Sequence, residues 1–301
     1  MHPLEIYLEE LSALRASGAA AKETSGYGAL ANLLNALGDT LRPKVRCLIQ
    51  LKNSGAGMPD GGFFTPEQLK ATDEEALLLG QKPARGVIEV KSTGDELADI
   101  AGTPQVKQYL AHYGLVLLTN YRDFRLLERG PDGAMLERES FRLADSEAAF
   151  WAAAAHPRKT AAVLGERCAE YLKRVMLHAA PLNNPKDLAF FLGSYARDAR
   201  VRVEAAKDLP ALTAVRTALE EALGMKFQAE KGEHFFRSTL VQTLFYGVFS
   251  AWVLWHKQQR SGTGVSPVSP NDHTGGTPMP LFDWRAAAWT LHVPMIKALF
   301  E

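Results

Sequence analysis

Between residues 45 and 130 the chain holds five short runs of β-type residues. They are VRCLIQL (45–51), the GGFF that closes NSGAGMPDGGFF (53–64), GVIEVKS (86–92), LVLLTN (115–120) and FRLLERG (124–130). Each has the length of one strand. Helical period fills the gaps. Residues 3–16 place Leu4, Tyr7, Leu8, Leu11 and Leu14 at helical spacing. ETSGYGALANLLNALG (23–38) opens on cap-type residues and is closed by Gly38, so it predicts a second helix. Residues 65–82 are polar and helix-tolerant, and TPQVKQYLAHYG (103–114) predicts a helix ending at Gly114. LVLLTN and FRLLERG, joined at Tyr121–Asp123, predict a hairpin or bent strand pair. Strands alternating with helices build an α/β domain with a mixed sheet, expected over residues 1–145.

From about 146 the texture changes. Residues 147–178, 185–206, 208–224 and 231–259 are helical in period, separated by breaks such as PLNNP at 181–185. This predicts an all-helical second domain over 146–301. Its aromatics Phe235, Phe236, Phe245, Tyr246, Phe249, Trp252 and Trp255 fall at helical spacing, which predicts core packing rather than base stacking. Residues 261–280 are rich in Gly, Ser, Thr and Pro, and predict a disordered insertion. The final pattern stops on apolar Leu299 and Phe300, as expected of the front part of a longer protein or a truncated gene product.

Lys plus Arg and Asp plus Glu number 34 each, so composition supplies no basic excess for a nucleic-acid partner. A hydrophobic fraction of 47% suffices for a real core. Cys47 and Cys168 have no metal-ligand spacing, which fits a reduced, cytoplasmic setting. The apolar stretch 240–255 includes Gln242 and is shorter than the roughly 20 residues a membrane span needs, so a core helix is expected.

The chemistry gathers around GVIEVKS. Alternation puts Val87, Glu89 and Lys91 on one strand face, with Ile88 and Val90 on the other. Taken alone, such a pair reads as the solvated face of an edge strand. Asp60, in MPDGGFF, stands where a turn enters a strand, although Pro-Asp-Gly is also ordinary turn chemistry. Two carboxylates on adjacent strands can share a divalent cation. Mg²⁺ takes hard oxygen ligands and keeps several waters. Asp60, Glu89, the Val90 carbonyl and a substrate phosphate would form such a set. Lys91 would then orient or help deprotonate the attacking water and offset phosphate charge, as metal-assisted phosphodiester hydrolysis requires. Gln105 and Tyr109, four apart on a predicted helix, share a face and could bond Lys91 or a phosphate.

These residues together resemble the PD-(D/E)xK nuclease superfamily: Pro59–Asp60, Glu89-Val90-Lys91 and the Q-x-x-x-Y of 105–109. More closely, GAGMPDGGFF, GVIEVKS, QVKQYL and LLTNYRDFRLL resemble the N-terminal nuclease region of type IIG and type ISP restriction–modification enzymes. LVQTLFYGVFSAW resembles the helical linker that follows it. The resemblance implies a restriction-endonuclease-like core and a Mg²⁺-dependent DNA endonuclease, with Mn²⁺ able to substitute. It implies Asp60, Glu89 and Val90 as metal ligands, Glu23 as an additional helical acid, Lys91 as the catalytic lysine, and Gln105 and Tyr109 as support. Thr119, Asn120 and Tyr121 match a family motif. Glu23 also suits the first turn of a helix, where an acid opposes the dipole.

The chain departs from that family in lacking an (N/D)PP(Y/F) motif and a glycine-rich cofactor loop; NNPKD at 183–187 is not the motif. No S-adenosylmethionine site is expected here. A methyltransferase or target-recognition domain or subunit is the expected partner, beside double-stranded DNA, with transient dimerisation on DNA for double-strand cleavage. The alternatives are a non-catalytic remnant that binds DNA or a partner subunit, and an unrelated α/β enzyme.

Overall fold

The computed structural model describes residues 1–18, 23–53, 55–69, 82–181, 185–205 and 210–262. Most of the 261–280 insertion, the final helical pattern and residues 70–81 lie outside the described residues. The architecture is mixed α/β, with one six-stranded mixed sheet and helices.

The chain opens with α1 (Pro3–Ala16) and α2 (Tyr27–Gly38). The hairpin of β1 (Arg46–Ile49) and β2 (Gly61–Phe64) follows, then the single turn α3 (Pro66–Leu69) and β3 (Val87–Val90). Next come α4 (Leu97–Ala101), α5 (Pro104–Tyr113), β4 (Leu115–Thr119), β5 (Asp123–Arg129) and β6 (Met135–Arg142). The remaining helices are α6 (Glu147–Ala154), α7 (Pro157–Leu177), α8 (Pro185–Ala205), α9 (Pro210–Leu223) and α10 (Ala229–Gly262).

The strands lie in sequence order across the sheet. Every neighbouring pair is antiparallel except β3 and β4, which are parallel. A parallel pair needs a crossover, and α4 and α5 supply it. Local chemistry sets the bounds of α5: the Thr103 hydroxyl accepts the Val106 N–H at one end, and Gly114 takes the left-handed cap, φ 79°, at the other. Val87, Val116, Leu118 and Leu127 of the sheet pack with Leu97, Val106, Tyr109 and Leu110 of α4 and α5. Elsewhere in the same unit, α1 packs on α2 and α7, and the Tyr171 ring of α7 stacks on Phe141 at 5.6 Å.

Three expectations change. The first compact unit runs Met1–Asn183 rather than stopping near 145, because α6 and α7 pack against α1 and close its core. The stretch 147–178 is two helices, broken where Pro157 starts α7. The second helix begins at Tyr27, so Glu23 lies in the turn before it rather than at its start. β6 and α4 were not expected: β6 (MLERESFR) is mostly polar and exposed, and α4 is only five residues.

In the second unit, Asn184–Glu301, Val215, Leu219, Phe227, Phe236 and Leu240 form a core. Of the aromatics expected in the core, Phe236 is buried, whereas Phe235, Tyr246 and Trp252 are exposed. α10, at 34 residues, is longer than its neighbours α8 and α9, at 21 and 14, neither of which can cover its whole length among the described residues. None of the described helices is long and apolar enough to cross a membrane.

Candidate active site

β3 is an interior strand, hydrogen-bonded to β2 on one side and β4 on the other, and all four of its residues are buried. The solvated-edge reading of the Glu89–Lys91 pair therefore fails. An acid 1% exposed in the middle of a sheet is costly unless partnered.

The β2–β3 register explains how Asp60 arrives. Gly61 lies opposite Ile88 and Gly62 opposite Val87, so one further step sets Asp60 opposite Glu89. The ladder gives way there: the Asp60 Oδ2 accepts the Val90 N–H at 2.7 Å. The other oxygen, Oδ1, accepts the Tyr27 hydroxyl at 2.6 Å. Asp60 is thus held from β3 and from the first residue of α2. The glycines beside it matter, because a Cβ on Gly61 would lie 2.9 Å from the Leu48 carbonyl oxygen of β1.

Lys91 leaves the end of β3, its N–H donating to the Thr119 carbonyl at 2.8 Å. Its Nζ donates to Glu89 Oε1 at 2.6 Å and lies 3.7 Å from Glu23 Oε1. The second Glu89 oxygen, Oε2, is buried and has no hydrogen-bond partner in the protein. Gln105 Nε2 donates to the Tyr109 hydroxyl at 3.1 Å, so this pair is bonded to itself. Tyr109 is buried near Gly57, whose Cβ would stand 3.3 Å from the ring.

The electrostatics follow from packing three acids around one lysine. Burial pushes the Glu89 carboxyl up to about 7; the Lys91 hydrogen bond opposes this, and the charges of Asp60 and Glu23 add to it. Burial pulls Lys91 down, but its bond to Glu89 and the charges of Glu89, Glu23 and Asp60 win, and the ammonium is held above its ordinary range. Tyr27 is raised well above the usual phenol range, by burial first and then by Asp60, so it stays a donor. Burial, opposed by the Gln105 bond, also raises Tyr109.

The structure thus brings Asp60, Glu89, Lys91 and Glu23 together, places Gln105 and Tyr109 as a bonded pair beside them, and sets Val90 in contact with Asp60 through its N–H. Sequence reasoning missed Tyr27 and found no role for Tyr121. Tyr27 reads as an apolar helix residue, and only the tertiary contact to Asp60, 33 positions on, reveals its hydroxyl's use.

The donor set can be tested against a hard divalent cation. Among the described residues no group of three or more His, Cys, Asp or Glu side chains is gathered closely enough to hold a metal alone. Two carboxylates from adjacent segments, one of them with a buried, unbonded oxygen, nonetheless match an ion that completes its shell with carbonyls, waters and phosphate.

No family model matches the chain, and no curated protein matches it. Among solved structures, a cryo-EM structure of a DrdV–DNA complex is similar at a TM-score of 0.33 and 19% identity, over 82% of this chain. The chain spans 22% of the length of that one.

Proposed function

We propose that the first unit carries the cleavage site of a divalent-cation-dependent DNA endonuclease of restriction-enzyme type, hydrolysing phosphodiester bonds. The observation that carries this reading is the pairing of Asp60 and Glu89 across adjacent strands, with Glu89 Oε2 buried and unbonded and Lys91 beside it. DNA as the substrate rests on the sequence resemblance of GAGMPDGGFF, GVIEVKS and QVKQYL.

Asp60 and Glu89 would hold Mg²⁺ or Mn²⁺, with the Val90 carbonyl and Glu23 at the rim. When bound there, such a cation would supply Lewis-acid polarisation of the phosphoryl group and a more acidic water. The protein's own groups do the rest. Tyr27 and the Val90 N–H fix the Asp60 carboxylate with one bond to each oxygen, leaving lone pairs on both. Lys91, held protonated by its acidic neighbours, offsets charge growing on the phosphate and orients the attacking water. The Gln105–Tyr109 pair walls the site on the α5 side.

The test is cleavage of supercoiled plasmid with Mg²⁺ or Mn²⁺, wild type beside Lys91→Ala. Cutting by wild type and not by the variant is the expected result. Equal cutting by both would remove Lys91 from the site. Absence of cutting, joined to Mn²⁺ binding that Asp60→Ala does not weaken, would overturn the reading.

A further inference from the structure

We propose that Tyr121 is a positioning residue of this site: held in a left-handed backbone conformation, it clamps the turn at residues 23–26 so that the Glu23 carboxylate addresses Lys91. The catalytic consequence rests on the nuclease reading above; the placement of Glu23 rests on geometry alone.

Tyr121 has φ 70° and is 2% exposed. That region is costly for a residue with a bulky side chain, and persists where the surroundings over-determine it. They do so here. The Thr119 hydroxyl accepts the Tyr121 N–H at 3.1 Å and donates to the Asp123 carbonyl at 2.9 Å. The Asn120 Oδ1 takes the N–H groups of Arg122 and Asp123, and its Nδ2 donates to the Asp95 carbonyl at 2.7 Å. From α1, the Tyr7 hydroxyl donates to the Tyr121 carbonyl at 2.8 Å. If a tight turn were all that mattered at 121, glycine or asparagine would serve it without strain.

What tyrosine adds is the reach of its side chain. The ring lies where a Gly26 side chain would be, since a Cβ there would stand 2.6 Å from Tyr121 Cε1. The hydroxyl donates to the Glu23 carbonyl. Burial first, and then the charges of Asp60 and Glu23, keep that phenol protonated. Both ends of the turn at residues 23–26 are therefore held by one side chain. The next residue, Tyr27, grips Asp60, so the same clamp sets the approach of two acids. This gives the Thr119-Asn120-Tyr121 motif a physical role: Thr119 and Asn120 build the strained turn, and Tyr121 delivers its consequence to Glu23. Tyr121 acts through Glu23 and not on the reacting atoms.

The test is amide hydrogen exchange across residues 23–27 of the full chain, read beside cleavage. Tyr121→Phe is expected to raise exchange there about 10-fold or more while the sheet keeps its protection. In cleavage, Tyr121→Phe is expected to lower kcat about 10- to 100-fold with KM unchanged, and its loss combined with Glu23→Gln is expected to fall short of the two single losses added together. Gly26→Ala, which presses a methyl group on the same ring, is expected to raise the same exchange, and serves if Tyr121→Phe does not fold. Unchanged exchange in Tyr121→Phe, or in Gly26→Ala where that variant stands in, or a fully additive loss of kcat in the double variant, overturns the proposal. A wild type that cuts no DNA would strike the nuclease reading and leave the exchange to decide the clamp.

Discussion

Lys91 sits with carboxylates on two sides, Glu89 at 2.6 Å and Glu23 at 3.7 Å. On the proposed nuclease reading its ammonium contributes charge, so Lys91→Ala should lower the cleavage rate about 10²- to 10³-fold, the scale of losing one electrostatic stabiliser. Tyr27→Phe removes one of the two hydrogen bonds given above for the Asp60 carboxylate. Bonds to charged groups contribute about 1.5–3 kcal/mol, so steady-state kinetics should show kcat down at least about 10-fold while KM holds. Glu89 makes stability depend on pH with a definite sign. Its folded pKa, about 7, lies above its ordinary 4.5, so between those values the native state binds more protons than the unfolded one. Stability should therefore fall as pH rises from about 4.5 to 7. Urea titrations across that window should show the slope in wild type and a flatter one in Glu89→Gln. Asp60, Glu89, Lys91, Gln105 and Tyr109 were legible in the sequence because residue type and spacing carry them. Tyr27 and the use of Tyr121 were not, because their partners lie 33 and 98 positions away.

β2 is the element on which the site turns. Its two glycines let β1 and β3 close on either side, and Asp60 enters directly before them. Gly61→Ala should force β1 aside, because the new methyl group would press on the Leu48 carbonyl, and overpacking of this kind costs about 1–3 kcal/mol. Gly28→Ala is the control: nothing lies within 4 Å of its Cβ, and alanine suits a helix better, so stability should hold or rise by up to about 1 kcal/mol. Chemical denaturation of the two variants separates these outcomes. Strands with apolar period or β-branched runs were readable beforehand. β6 was not, because an exposed strand with Glu137, Arg138 and Glu139 at its centre presents no apolar pattern.

At the scale of the molecule, the change in texture near residue 146 marks where strands stop and not where the first unit ends. α6 and α7 are needed to cover α1 and α2, and Cys168, Tyr171, Leu172 and Met176 are buried there. A chain ending at Asn183 should accordingly unfold in one cooperative transition, and one ending at 145 should expose apolar surface and aggregate. Calorimetry and dye binding on the two truncations would decide this. The balanced charge places no long-range attraction for DNA on the whole chain, so the DNA binding proposed above should depend on local groups.

The amino-acid order alone determined the α/β character, the β4–β5 hairpin, the bounds of α5 and the list of acids and amines able to do chemistry. These depend on period, caps and residue type, which are local properties. Only the tertiary structure decided that β3 is interior, that Asp60 stands opposite Glu89, that the Tyr27 hydroxyl meets Asp60 and that the Tyr121 hydroxyl meets the Glu23 carbonyl. Strand partners and side-chain contacts between distant segments are set by how layers pack, and no window of sequence short enough to show a period contains both members of such a pair.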